Sequence, residues 1–249
     1  MLVLEDKLLF LDSQKTGGTF ISHLLMNMSK LEQYVYYQNH APGLWYSPSQ
    51  FTVISVRHPL ELYSSLYRYG LDGHSDAYIF SKKANNGEPH PAYDTFESFC
   101  EWMLDPEGAP RLLEGKWAYG PEIAEVMGRF TWGHFQVALQ WPEPSFNNLK
   151  RVLSNFDGFG IDPVSWLDNQ TLRIDYVIRQ ETLEKDLHKL IFDMKPEWFY
   201  QDEWPIQLRH GNFNNSTKGP ATVKLESVEL LREIERKEKL LYNRFYSYT

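Results

Sequence analysis

Eleven residues near the start, Phe10 to Phe20, read FLDSQKTGGTF. A short apolar run meets a lysine, two glycines and two threonines, and an amphipathic pattern follows. Where a strand passes through a glycine turn into a helix, backbone N–H groups and the helix start form a cradle for an anion. The ordinary nucleotide loop reads G-x-x-x-x-G-K-[ST], with its lysine after the glycines. Here Lys15 and Thr16 precede Gly17 and Gly18, Thr19 follows, and no glycine opens the loop. A lysine in that order lies over an anion at the helix start, where it can hydrogen-bond a bridging oxygen as charge develops. Thr16 and Thr19 would add hydroxyl donors. A plain strand-to-helix connection is the other reading.

Further along, ISVRHPLELYSSLYRYG places Arg57 at the end of an apolar run, Pro59 at a helix start and Ser65 eight residues after the arginine. A guanidinium fork suits a terminal phosphate, and a hydroxyl can complete its shell. Alternatively, Arg57 pairs with a carboxylate such as Glu61. For a base, His40 in YYQNHAPGLW follows a strand pattern, at the edge where open α/β sheets bind ligands. Its neutral imidazole can accept a hydroxyl proton; packing against Pro42 or Trp45 is the alternative. His134, among the aromatics of FTWGHF, is the second choice, on an element expected to face substrate. His23 and His188 fall on polar helix faces, and His58 belongs to the R-H-P turn. His74, His90 and His210 sit in turn-rich stretches and carry no signal.

These groups need elements to hold them. Lys7–Ser13 is an apolar run closing in small polar residues, as a buried strand does. From Thr19, Phe20, Ile21, Leu24, Leu25, Met28 and Leu31 recur at helical spacing. Residues 33–38 (QYVYYQ) and 51–56 (FTVISV) are rich in β-branched and aromatic side chains and predict two more strands. Pro59 suits a first helical turn and Gly70 a stop. Residues 172–180 predict another strand, feeding a helix striped with Leu183, Leu187, Leu190, Ile191 and Met194. Helices are also expected around 95–104 and 121–139. A last one begins near Ser227, an N-cap, with Glu229 early and Lys239 and Arg244 late, as the helix dipole prefers. Strands alternating with helices predict an α/β fold with a central, mainly parallel sheet and helices on both faces. We expect one domain over residues 1–249, with an irregular substrate-facing elaboration at about 71–169.

The 33 acidic and 25 basic residues leave a net charge of −8, which disfavours bulk gripping of nucleic acid or a polyanionic glycan. A local basic pocket is compatible with it. The single cysteine, Cys100, excludes an internal disulfide and a multi-cysteine zinc site. No segment has the pattern of a signal peptide or the length of a membrane span. The expectation is a cytoplasmic enzyme, or a catalytic domain trimmed of an anchor. Eight Trp, 15 Tyr and 15 Phe suit either a stacking surface for sugars or a large core.

The loop Lys15-Thr16-Gly17-Gly18-Thr19 resembles the 5′-phosphosulfate loop of sulfotransferases that use 3′-phosphoadenosine 5′-phosphosulfate (PAPS), P-K-[TS]-[GA]-[GT]-T. Gln14 replaces the frequent proline. Arg57 and Ser65 resemble that family's 3′-phosphate motif, R-[NDH]-P with a serine eight residues after the arginine. YVIRQETLEKDL is similar to its strand vlRyEdL and the helix that follows. NNSTKG resembles a late loop approaching the 3′-phosphate, and LLYNRFYSY the closing segment of the carbohydrate branch. His40 resembles the histidine of the uronyl 2-O-sulfotransferase-like branch. Residues 71–169 carry no matching motif. The resemblance implies a P-loop-like three-layer fold and metal-independent transfer to an acceptor hydroxyl, on a saccharide or glycoside, with 3′,5′-phosphoadenosine (PAP) as product. It implies His40 as base and Lys15 at the leaving phosphate. PAPS would be held by Lys15, Thr16, Gly17, Gly18, Thr19, Phe20, Arg57, Ser65, Lys218 and Gly219. A small-molecule kinase would need a GK[ST] loop and a Mg²⁺-holding acid on a neighbouring strand. A non-catalytic nucleotide-binding module is the third reading.

Overall fold

A computed structural model describes residues 1–31, 34–37, 49–139, 162–210 and 223–246. The chain forms two compact units. The first is drawn from Met1–Arg57, Gln136–Ser145 and Thr171–Asn215, the second from His58–Phe135, Phe146–Gln170 and Ser216–Thr249.

The first unit is built on a five-stranded sheet: β1 (Leu2–Leu4), β2 (Leu8–Leu11), β3 (Tyr34–Tyr37), β4 (Phe51–Val56) and β5 (Tyr176–Arg179), in the order β3-β1-β2-β4-β5. β2, β4 and β5 pair in parallel, and β1 runs antiparallel to both of its neighbours. Four strands therefore share one direction, as expected of a mainly parallel sheet. β1 was not expected. It pairs with β2 through a turn at Glu5–Lys7, where Glu5 has φ 46° and its carboxylate meets Lys7 at 2.9 Å.

All four residues of β2 are buried, as suits a strand with neighbours on either side in its sheet. The period of two sends Leu8 and Phe10 to one face, beside Leu2 and Val53. There they meet Ile21, Leu24, Leu25 and Met28, the apolar stripe of α1 (Gly18–Met28). Each such side chain contributes about 1.5–3 kcal/mol through burial. The stripe at Leu187, Leu190 and Ile191 joins the same core. Its helix is α-helical only over Leu183–His188 and widens to a π-turn over Lys189–Met194.

The second unit is helical: α2 (Pro59–Leu71), α3 (Asp76–Ala84), α4 (Phe96–Leu104), α5 (Ala109–Trp117), α6 (Pro121–Val126), the part of α7 (Arg129–Ala138) up to Phe135, and helices over Pro163–Asp168, Val228–Lys237 and Lys239–Phe245. Much of the aromatic excess is core here: Trp132, Tyr119, Phe99, Phe130 and Phe135 are fully buried.

Two continuous helices expected from periodicity are each broken, and one pair of residues accounts for both breaks. The stretch 121–139 divides at Met127–Gly128, and the last helix divides at Glu238. Lys237 Nζ donates to the carbonyls of Ala124 and Glu125, at the end of α6. The Glu238 carboxylate accepts the N–H groups of Phe130 at 3.2 Å and Thr131 at 2.6 Å, at the start of α7. The Lys237 ammonium complements the dipole at the end of α6, and the Glu238 carboxyl oxygens take two of the open N–H groups at the start of α7. Gly128 is required at this joint, since a Cβ there would lie 2.1 Å from Glu238 Oε1. Among the described residues, no helix is long and apolar enough to cross a membrane.

Candidate anion-binding loop

In the first unit, β2 ends at Leu11 and α1 begins at Gly18, so residues 12–17 make the turn. Lys15 has φ 66° and Gly17 φ 80°, and the residues beside each have negative φ. Gly17 adopts this conformation freely, whereas for a lysine it costs about 1–2 kcal/mol. Alternating signs of φ along a short loop turn successive N–H groups to one side, making a concavity that suits an anion. The start of α1 has no side-chain cap and no acid in its first turn. Its first backbone bond runs from Ile21 N–H to Gly17 O at 3.1 Å. The N–H groups of Gly18, Thr19 and Phe20 thus belong to the open helix start, where an anion is favoured.

Four side chains shape the loop from behind. Thr16 is fully buried; its hydroxyl donates to Ser13 O at 2.7 Å and meets Ser55 Oγ, on β4, at 2.6 Å. The expectation that Thr16 offers its hydroxyl to a ligand is therefore corrected: that group ties the loop to the neighbouring strand. Gln180 packs on Gly17 so closely that a Cβ there would lie 2.3 Å from its Oε1. Asp12 packs on Gly18, where a Cβ would lie 1.6 Å from Oδ1. Ser13 Oγ and Gln180 Oε1 are buried and hydrogen-bond to no described residue. Buried polar atoms of that kind mark places where a ligand or water completes the structure. Gly18→Ala is expected to cost about 1–3 kcal/mol through overpacking. Urea unfolding would show a lower midpoint at unchanged m; an unchanged midpoint would mean that Asp12 can swing aside.

Gln180 reaches Gly17 because β5 and its following turn are pinned. Asp175 Oδ2 accepts Thr52 N–H at 2.7 Å at the entry to β5. Asp186 Oδ2 accepts Arg179 N–H at 2.9 Å and Thr182 Oγ–H at 2.8 Å at its exit. The aspartate of YVIRQETLEKDL thus closes a turn. Val56 stands opposite Arg179 in the β4–β5 register, so Arg57 and Arg179 leave the sheet at the same edge. β2 runs parallel to β4, and its exit carries Lys15. Three cations therefore gather at the carboxyl edge of the parallel strands, where open α/β sheets bind ligands.

Comparison of the chain with protein-family models, with characterised proteins and with solved structures returns no match.

Among the sequence-predicted site residues, Lys15, Thr16, Gly17, Gly18, Thr19, Phe20 and Arg57 lie in the first unit, on or beside this loop and edge. Ser65 lies on α2 of the second unit, 9% exposed. His40, Lys218 and Gly219 lie outside the described residues. His134 does not face a substrate surface as expected. It is 1% exposed within the second unit, with Nδ1 2.7 Å from Phe130 O. Burial lowers its pKa to about 4, so the ring is neutral and donates Nδ1–H to that carbonyl. His58 packs edge-on against Tyr242 and Tyr246 and has a structural place. Sequence reasoning did not single out Gln180, Ser55, Asp12 or Arg179 as loop or edge residues. The available signals were a serine inside the apolar run FTVISV and polar residues at two strand exits.

Proposed function

We propose that the chain is a sulfotransferase that moves a sulfuryl group from PAPS to an acceptor hydroxyl, on a saccharide or glycoside. One observation carries this reading: an uncapped helix start preceded by a lysine held at positive φ, with two arginines at the same sheet edge. The residues fit the donor's chemistry. N–H groups from Gly17 to Phe20 would hold the 5′-phosphosulfate, Lys15 would stabilise charge on the departing phosphate, and Arg57 would take the 3′-phosphate. In the transfer an acceptor oxygen bonds to sulfur as the sulfur–phosphate oxygen bond breaks, and His40 takes the acceptor proton. The fold would be the P-loop-like three-layer arrangement, and the protein cytoplasmic. A kinase reading is less well supported, since β4, beside the loop strand, carries no carboxylate.

The test supplies PAPS and a panel of saccharide acceptors, with and without a metal chelator, and follows release of PAP. We expect release that survives chelation, and PAP alone to raise the unfolding temperature; saturation at 100-fold over Kd stabilises by about 2.7 kcal/mol. No PAP with any acceptor, together with Mg²⁺-dependent ATP turnover, would reject the proposal.

A further inference from the structure

The second unit holds a cleft of about 290 Å³ that no motif marks. It opens where the end of α3, the loop leading to His90, α4 and the start of α5 converge. Its aromatic wall is the stacked pair His90–Trp102, with centroids 5.0 Å apart and planes at 28°. The pair is built rather than incidental. His90 Nδ1 accepts Ala92 N–H at 3.1 Å, which fixes the ring and leaves the neutral imidazole with its proton on Nε2. Trp102 packs edge-on to Tyr93 from the core side. Gly108 closes the α4–α5 turn directly over Trp102; a Cβ there would lie 2.3 Å from Trp102 O and 2.9 Å from Cδ1.

Polar groups ring this wall in complementary pairs. The Arg111 guanidinium meets the Glu107 carboxylate at 2.7 Å across one turn, and both side chains are more than half exposed. Asn85 donates its amide N–H to the carbonyls of Pro89 and Glu88, so its Oδ1 is left as an acceptor at the cleft. The cleft thus combines flat aromatic surface with adjacent donors and acceptors. Vicinal hydroxyls each donate and accept, and a pyranose also presents an apolar C–H face. A nucleobase would stack equally well, but its hydrogen-bonding atoms lie in the ring plane and do not need a paired acid and base. The carboxylate disfavours a phosphate. The volume lies just under the usual range of about 300–1,000 Å³ for ligand pockets, which limits the occupant to one ring.

We propose that this cleft binds a single pyranose unit of a glycan or glycoside, stacked against His90 and Trp102 and hydrogen-bonded by Asn85, Glu107 and Arg111. Occupancy needs neither PAPS nor a sulfuryl-transfer step, so it can hold or fail whatever the loop of the first unit does.

The experiment uses the full chain labelled with fluorotryptophan. Trp102 is assigned as the fluorine resonance lost in Trp102→Phe. Methyl β-glucoside, methyl β-galactoside, methyl β-N-acetylglucosaminide, methyl β-glucuronide and adenosine are titrated separately. At least one pyranoside is expected to move the Trp102 resonance saturably, with Kd on the order of millimolar. The exposed double variant Glu107→Gln, Arg111→Ala should weaken that Kd at least about fivefold, as loss of a charged hydrogen bond does. The other tryptophan resonances of this variant should stay in place. The proposal is overturned if no pyranoside moves the resonance, if only adenosine does, or if the double variant binds with unchanged Kd.

Discussion

Replacing Lys15 with alanine is expected to reduce PAP release by about two to three orders of magnitude, the usual loss when one group stabilising developing charge is removed. The structure allows this loss to be separated from misfolding. Lys15 is half-buried and occupies the left-handed region at φ 66°. Alanine inherits that backbone strain, so its stability should match the parent. Glycine relieves it, and Lys15→Gly should gain up to about 1 kcal/mol. Both variants should be equally impaired in transfer, although one is more stable than the parent. PAP binding, followed by its effect on the unfolding temperature, should weaken far less than turnover, because the backbone cradle and Arg57 remain. His40→Ala should likewise lose turnover and keep PAP binding. Undiminished transfer in Lys15→Gly would end the assignment of Lys15 to the leaving phosphate. Loss of all folding in Lys15→Gly would contradict the strain argument.

The loop was legible because its signals are local. Phe51–Val56 forms a strand over the expected bounds, and the glycines sit at the strand-to-helix turn where their types placed them. Features set by distant partners were not legible. β1 is three residues long and exists through its pairing with β2 and β3, which no periodicity reports. Gln180 shapes the loop only because β5 lies beside β4, more than a hundred residues away in sequence. The apolar spacing through 121–139 runs on unbroken, yet the backbone divides where Glu238 arrives from the far end of the chain. For His134, residue type suggested a base, while its environment makes it an enclosed neutral ring.

Glu238 gives the second large effect, on stability. Its carboxylate is fully enclosed, accepts Phe130 and Thr131 N–H, and receives the Tyr63 hydroxyl at 3.0 Å. Glu238→Ala removes three hydrogen bonds at once and leaves two helix donors and a phenol buried without partners. At about 1–3 kcal/mol for each buried group so stranded, a loss of about 3 kcal/mol or more is expected. Glu238→Gln keeps the shape and one acceptor, and should cost much less. Its pH dependence has a definite sign. Burial, opposed by the hydrogen bonds to Thr131, Phe130 and Tyr63, raises the carboxyl pKa above its ordinary value. Between the unfolded and folded pKa values the folded chain therefore binds more protons than the unfolded one, and stability falls as pH rises. The contribution is fully present below the unfolded pKa, near 4.5, and is lost as pH climbs through the folded value. Glutamine has no such dependence. Urea unfolding of both chains from acid to neutral pH should show the glutamine variant gaining on the parent as pH rises. A gap that stays constant would show that the capping bonds offset burial and leave the pKa unshifted; one that widens in the parent's favour would show that they outweigh it and that the carboxylate prefers its charge even when enclosed. In either case the joint between α6 and α7 depends on this side chain, because both chain breaks that periodicity missed meet at Lys237 and Glu238.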